Sequence, residues 1–142
     1  MNIVFKNKIP IIISFKTCLF FKKIFGFHVG AVTLFPFIVV RDREILEKKE
    51  YINHESIHIR QYLETLIIGI IVIGLIEYLY ALFILKKTRT QAYYYMGHEQ
   101  EAHQNDQNLN YLKTRKCFSY YKYLNPKNKI KMDLADGKRV IL

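Results

Sequence analysis

The chain has 142 residues, a length that suits one domain, and 51% of them are hydrophobic, enough to bury a core. Its 22 basic and 12 acidic side chains give a net charge of +10, which indicates either an anionic partner or a solvated basic surface. The two cysteines, Cys18 and Cys117, do not form a C-x-x-C pair, which excludes a disulfide framework and favours a reducing compartment.

The first forty residues favour β-structure with one short helix. Residues 3–16 are rich in Ile, Val and Phe and predict a strand, and their apolar run is too short for a signal-peptide core, so we expect no leader. Residues 17–27 predict a short amphipathic helix or a loop that closes at Gly26. Residues 28–40 predict a second strand. Because proline cannot donate a ladder hydrogen bond, Pro36 inside it predicts a sheet edge or a bulge.

A charged stretch, residues 41–50, predicts a turn that leads into a helix. Asn53 is a candidate N-cap for this helix, because its side chain can accept a hydrogen bond from the first turn. Alternatively, the helix already begins near Leu46. In either case the helix contains the residues that follow Asn53.

Those residues carry an H-E-x-x-H motif at positions 54–58. His54 and His58 lie four positions apart on one helical face, so both can bind one zinc ion. Glu55 points about a quarter-turn away, from where it can act as general base on a water activated by the metal. Gln61 lies one turn further along the same face, where it could orient a ligand. Alternatively, two histidines on a surface helix need no metal.

A catalytic zinc site needs a third protein ligand and one open position. The downstream sequence HEQEAH, residues 98–103, contains the candidates. We expect Glu99 to be the third ligand, with His103 one turn beyond it as an outer-shell partner or a competing ligand. Glu101 is the alternative metal ligand. For His98 and Glu101, however, ordinary solvent exposure is the simpler expectation.

The most apolar stretch, residues 65–85, is about long enough to cross a bilayer, which takes roughly 20 residues. Its basic flank, residues 86–90, would then lie in the cytoplasm. A straight helix would carry the chain too far for the downstream carboxylate to return to the histidines. We therefore expect a bend at Gly69 or Gly74, and a helical hairpin that is either buried or dipped into a membrane. Glu77, the one charge in the stretch, should face protein or water.

Residues 91–116 predict another helix, with Gly97 as its weak point. A basic tail follows, from about 113 to 142, with a turn at Asn125-Pro126 and a hairpin turn into a short strand at 136–142. Its lysines could meet an anionic membrane, or its tyrosines and lysines could bind single-stranded nucleic acid. Nucleic acid is the less expected partner, because the middle of the chain is so apolar.

The two motifs together resemble the gluzincin pattern, H-E-x-x-H followed by E-x-x-A. Within it, the likeness is to membrane-associated zinc proteases of the heat-shock and CAAX-processing type, and to small bacterial H-E-x-x-H-x-x-Q proteins of unassigned function. The resemblance implies that His54, His58 and Glu99 bind zinc. It also implies that Glu55 is the general base. In those proteases an Asp follows the Ala, whereas His103 stands there in this chain.

The resemblance further implies that an edge strand, here residues 31–40, holds an extended peptide beside the metal. We therefore predict an α+β, mostly helical fold, with the H-E-x-x-H helix and an apolar helical hairpin beside a small N-terminal sheet. Residues 1–142 would form a single minimal metallopeptidase-like domain. The predicted function is a membrane-associated zinc peptidase, acting on a peptide or protein substrate. The alternative is a catalytically inactive membrane-associated protein with a structural metal or none.

Overall fold

The computed structural model describes residues 3–6, 8–129, 132–133 and 140–141. The fold is α+β and mostly helical, as the sequence predicts. Two 3₁₀ helices, Ser119–Leu124 and Pro126–Asn128, follow the last α-helix. The strands and α-helices are, in chain order, β1 (Ile3–Lys6), β2 (Ile9–Ile13), α1 (Phe15–Phe25), β3 (Ala31–Leu34), β4 (Phe37–Val40), α2 (Arg43–Glu47), α3 (Lys49–Glu64), α4 (Ile68–Phe83), α5 (Arg89–Tyr95), α6 (Gly97–Asn105), α7 (Tyr111–Thr114), β5 (Met132–Asp133) and β6 (Val140–Ile141).

The N-terminal sheet has the strand order β1-β2-β4-β3. β2 and β4 run parallel with α1 as the crossover, and the outer pairs β1–β2 and β3–β4 are antiparallel. The sheet packs against α2 and α3 around a buried apolar cluster, which consists of Ile11, Ile38, Val40, Ile45, Leu46 and Ile52. β3 is an edge strand and lies beside α3, so the sheet brings a strand edge to the helix that carries the H-E-x-x-H motif.

Residues 28–40 form two strands, and the prediction of a single strand was wrong. β3 ends at Leu34 and β4 begins at Phe37, so Phe35 and Pro36 form the turn between them. A turn needs no ladder hydrogen bond at proline, which is why Pro36 is accommodated there. An edge strand is present, but it precedes Pro36. The predicted strand at the start of the chain is likewise a hairpin, formed by β1 and β2.

The apolar stretch bends, but not at either glycine. α3 and α4 meet at 110°, and the break lies at Leu66 and Ile67, whose φ angles are 53° and 69°. Gly69 and Gly74 lie inside α4. In the described part of the chain no single helix is long and apolar enough to cross a membrane, and α3 and α4 reach that length only as a bent pair.

Thr65 explains why the break falls where it does. Its hydroxyl donates to the backbone oxygen of Gln61 at 2.8 Å and accepts from the backbone N–H of Ile70 at 3.0 Å. One side chain thereby satisfies a carbonyl at the end of α3 and an N–H at the start of α4. The left-handed backbone at a β-branched Ile67 is strained, and the two hydrogen bonds of Thr65 help to hold it.

Asn53 does not cap α3, which begins earlier, at Lys49. It is buried within that helix, and its Nδ2 donates to the backbone oxygens of Asn105, Asp106 and Asn108 at 3.2, 2.9 and 3.1 Å. The predicted N-cap role was therefore wrong. Asn53 instead satisfies carbonyls at the C-terminal end of α6 and so fastens α6 to α3.

The predicted weak point at Gly97 is confirmed, because the long helix divides there into α5 and α6. A Cβ at Gly97 would lie 3.1 Å from Leu124 and 3.3 Å from the backbone of Tyr123, so glycine permits a close approach of the 3₁₀ helix. Glu77 accepts from the backbone N–H of Gly97 at 2.8 Å and pairs with Lys129. It therefore faces protein, as expected.

The basic tail is packed against the body over its first part. Tyr120 and Tyr123 are buried, and the 3₁₀ helix that contains them contacts α6. The turn expected at 136–142 lies mostly outside the described residues. Within them, Val140–Ile141 pairs with Met132–Asp133 in an antiparallel arrangement.

Candidate metal centre

α3 and α6 bring His54, His58 and Glu99 together in the interior, where each is at most 7% exposed. The two histidine Nε2 atoms lie 3.1 Å apart. The Nε2 of His58 is 3.3 Å from Oε1 of Glu99, and the Nε2 of His54 is 3.5 Å from Oε2. Ala102, a small residue of α6, is fully buried. This cluster could hold a metal ion.

The electrostatics of the cluster favour positive charge between its members. Burial by itself lowers the pKa of His54, but the carboxylates of Asp106 and Glu99 outweigh it and raise the pKa to about 10. At His58, burial also lowers the pKa, but the carboxylate of Glu99 outweighs it and raises the pKa. The same histidines hold the pKa of Glu99 well below its usual range despite burial. Because two facing Nε2 lone pairs repel each other, a proton or a metal ion must lie between them.

Gln61 determines which nitrogen of His58 faces the cluster. The amide Nε2 of Gln61 donates to Glu101 at 2.8 Å and to the backbone oxygen of His98 at 3.1 Å. Its oxygen must therefore face Nδ1 of His58, 2.7 Å away, and that nitrogen carries the proton. In the neutral ring, Nε2 then presents a lone pair to the cluster, which is the arrangement that a metal ligand requires.

Glu101, the alternative ligand, lies outside the cluster, among donors of its own. Arg115 donates to it from Nε at 2.7 Å and from Nη2 at 3.1 Å, and Tyr111 donates at 2.7 Å. The expectation that Glu101 and His98 are solvent-exposed was wrong, because Glu101 is fully buried and the side chain of His98 is only 15% exposed. The sequence around Glu101 does not show that Arg115, fourteen positions later, neutralises its charge.

His103 and Asp106 lie on the side of His54 away from His58. Nε2 of His103 is 3.6 Å from Oε2 of Glu99, and Oδ2 of Asp106 is 3.7 Å from Nδ1 of both His103 and His54. His54, His103 and Asp106 form a second group that could hold a metal ion. Asp106 was not among the candidate ligands predicted from the sequence. Its position, seven after Glu99 and three after His103, was the available signal, since it places all three on one helical face.

Glu55 points toward the edge strand. The hydroxyl of Thr33 in β3 lies 2.7 Å from Oε2 of Glu55 and 3.1 Å from its backbone oxygen, and both residues are at most 5% exposed. The carboxylate is thereby anchored to β3 as well as to α3. A single threonine within a strand gives no sequence signal for this contact.

Two cavities flank the cluster, and Glu55, Ala31 and Tyr93 line both. A polar cavity of about 530 Å³ contacts His54, His103 and Asp106 among others. An apolar cavity of about 440 Å³ contacts His58 and Glu99, and its walls come from α1, β3 and α4. The edge strand passes from one cavity to the other.

Three buried side-chain atoms around the cluster have no hydrogen-bond partner. Among the described residues these are Nδ1 of His98, Oε2 of Glu99 and Nε2 of His103. Buried polar atoms are normally paired, and exceptions mark places where a ligand, an ion or a proton completes the site.

No family model, curated protein or solved structure matches this chain. The functional reading of the site therefore rests on its geometry. Of the residues singled out from the sequence, the structure brings His54, His58 and Glu99 together, and the others surround them. Gln61 contacts His58, and His103 lies beside Glu99.

Proposed function

We propose that this chain is a zinc-dependent peptidase. The supporting observation is the spacing of the three ligand atoms. Zinc bound tetrahedrally at about 2.0–2.1 Å needs neighbouring ligand atoms about 3.3 Å apart. The separations here are 3.1, 3.3 and 3.5 Å. A direct charge-assisted N–H···O hydrogen bond would bring nitrogen and oxygen to about 2.7–2.9 Å, so the histidine–glutamate spacing suits a shared cation better than a direct pair.

His54 and His58 would hold the metal through Nε2, and Glu99 through its carboxylate. Zinc in such a site lowers the pKa of water to about 7 and polarises a carbonyl group. Glu55 would accept the proton of the water that attacks the substrate carbonyl and would return it to the amine released when the C–N bond breaks. Thr33 keeps the Glu55 carboxylate in one orientation during the transfer.

The edge strand β3 is the proposed binding site for the substrate backbone. An extended peptide can add to such an edge through main-chain hydrogen bonds, and its alternate side chains enter the pockets beside it. Thr33 belongs to β3 and contacts Glu55, so the strand that positions the peptide also positions the base. One peptide could extend from the polar cavity to the apolar one.

Metal content and cleavage of a mixed peptide library test the proposal together. The purified chain should contain one zinc per molecule and cleave peptides. Glu55→Gln should keep the zinc and lose at least about 100-fold in cleavage rate, because it removes only the base. Glu99→Gln should lose zinc affinity, whereas the matched change Glu101→Gln should lower stability but retain zinc in the folded protein, because Arg115 keeps its pair with Glu64.

The ligand assignment is overturned if Glu101→Gln loses zinc while Glu99→Gln keeps it. Stoichiometric zinc without cleavage, in both the native chain and Glu55→Gln, would instead support the inactive protein with a structural metal. Circular dichroism of each variant separates loss of zinc from loss of folding.

A further inference from the structure

Large apolar side chains are exposed on both α1 and α4, two of the helices that line the apolar cavity. We define the α1–α4 face by five side chains that are 39–70% exposed, namely Phe20, Ile24, Ile68, Ile76 and Phe83. Contiguous apolar patches of this kind on a protein surface mark binding sites for other molecules or for membranes.

The exposed charges on α1 and on the connection from α4 to α5 are basic. α1 contains no acidic residue, and the single acid of α4, Glu77, is turned inward onto Gly97 and Lys129. Lys23, Lys86 and Arg89 are exposed where α1 ends and where α4 connects to α5. Arg89 donates to the backbone oxygen of Lys23 at 3.1 Å, which holds the end of α1 and the start of α5 together. The apolar face therefore has a cationic margin.

The apolar cavity opens beside the same face. Ile24 of α1 and Ile71 and Leu75 of α4 line it and are 39%, 51% and 54% exposed, so they form part of its mouth. His58 and Glu99 line its inner part. A hydrophobic group that reaches the mouth from this side can thus approach the candidate metal centre without crossing bulk water.

We propose that the α1–α4 face docks in the plane of an anionic lipid bilayer, and that the apolar cavity receives a hydrophobic peptide segment from that surface. The second half rests on the proposed peptidase function; the docking does not. The charge pattern favours an anionic lipid surface as the partner, because the exposed Lys23, Lys86 and Arg89 complement negatively charged headgroups. Apolar side chains on one helix face beside lysine and arginine are the pattern of interfacial membrane helices.

Fluorescence provides a direct test, because the chain contains no tryptophan. Ile76→Trp places a single reporter on the α1–α4 face. Leu109→Trp is the matched control, at a site that is 51% exposed and lies outside α1 and α4. With phosphatidylcholine vesicles containing about one-third phosphatidylserine, emission of the first reporter should shift to shorter wavelength, and that of the second should not.

The cationic margin is tested by a charge series. Each cation near an anionic surface contributes about fivefold in affinity, so the triple change Lys23→Gln, Lys86→Gln and Arg89→Gln should weaken vesicle binding by about 100-fold. An equal charge change in the basic tail, with Lys113, Lys116 and Lys127 all replaced by Gln, should have a much smaller effect. Equal losses from the two triples would overturn the assigned docking surface.

Two further results would overturn the docking. The first is no vesicle binding by the full chain, and the second is a blue shift of Ile76→Trp that requires only higher protein concentration, since that would show self-association. Glu55→Gln should bind vesicles like the native chain. Cleavage of soluble peptides without vesicle binding would refute this inference alone. Vesicle binding without zinc or cleavage would refute the peptidase proposal and the cavity half that rests on it, and would leave the docking intact.

Discussion

Removal of the Arg115 guanidinium should destabilise the fold around α6, the helix that carries one proposed ligand of the candidate centre. The side chain of Arg115 is 3% exposed, and it pairs with Glu101, which is fully buried, and with Glu64, whose side chain is 12% exposed. Among the described residues, Arg115→Met would leave the Glu101 carboxylate with Tyr111 and Gln61 as its donors. Loss of one partner from a buried ion pair costs about 3–5 kcal/mol, because the other charge remains desolvated.

Urea unfolding followed by circular dichroism measures this cost. Arg115→Met should lower the free energy of unfolding by about 3–5 kcal/mol. The double variant with Glu101→Gln should regain about 1–2 kcal/mol, since it also removes the uncompensated charge. Lys113→Met, an exposed basic residue two positions earlier, should change stability by less than about 0.5 kcal/mol. A loss below about 1 kcal/mol for Arg115→Met would refute the reasoning.

Gly74 and Cys18 give two further predictions. A Cβ at Gly74 would lie 2.6 Å from Cε1 of His98, so Gly74→Ala should destabilise the native chain by about 1–3 kcal/mol. In a His98→Ala chain the clash is absent, and the same change should stabilise the helix by up to about 1 kcal/mol. Urea unfolding measures both effects. Equal effects in both backgrounds would contradict the proposed clash. Burial, with the field of Glu55, raises the pKa of Cys18 to about 11, so iodoacetamide at about pH 8 should alkylate the exposed Cys117 at least 100-fold faster. Comparable labelling of the two thiols, read by mass spectrometry, would refute this.

The residues that converge in the centre could be predicted because their chemistry depends on local spacing. Two histidines four positions apart share a helical face whatever the rest of the fold does. A return of the chain to them was required by simple distance limits, so a bend between α3 and α4 followed from the geometry of a helix. The position of the bend could not be predicted, because it depends on hydrogen bonds of Thr65 that helix propensities do not encode.

The surroundings of the centre could not be predicted, because they depend on pairings between distant segments. Asparagine is a common N-cap residue, but the side chain of Asn53 donates to a backbone oxygen at the end of another helix, α6. Glutamate usually lies on the surface, but Glu101 is buried because Arg115 neutralises the charge of its carboxylate. In both cases tertiary contacts override a local preference, which a single sequence does not display. The contact between Thr33 and the proposed base, Glu55, also joins distant segments and could not be predicted from the sequence.

The contact between Arg115 and Glu101 has a consequence for protein synthesis. Every candidate ligand precedes Arg115 in the chain, yet α6 cannot bury Glu101 favourably until that counterion has been translated. A nascent chain that ends before Arg115 therefore holds the complete ligand set without the ion pair that helps to dock α6 onto α3. Docking of α6 onto α3 therefore waits for the segment that carries Arg115, although every candidate ligand precedes it in the chain.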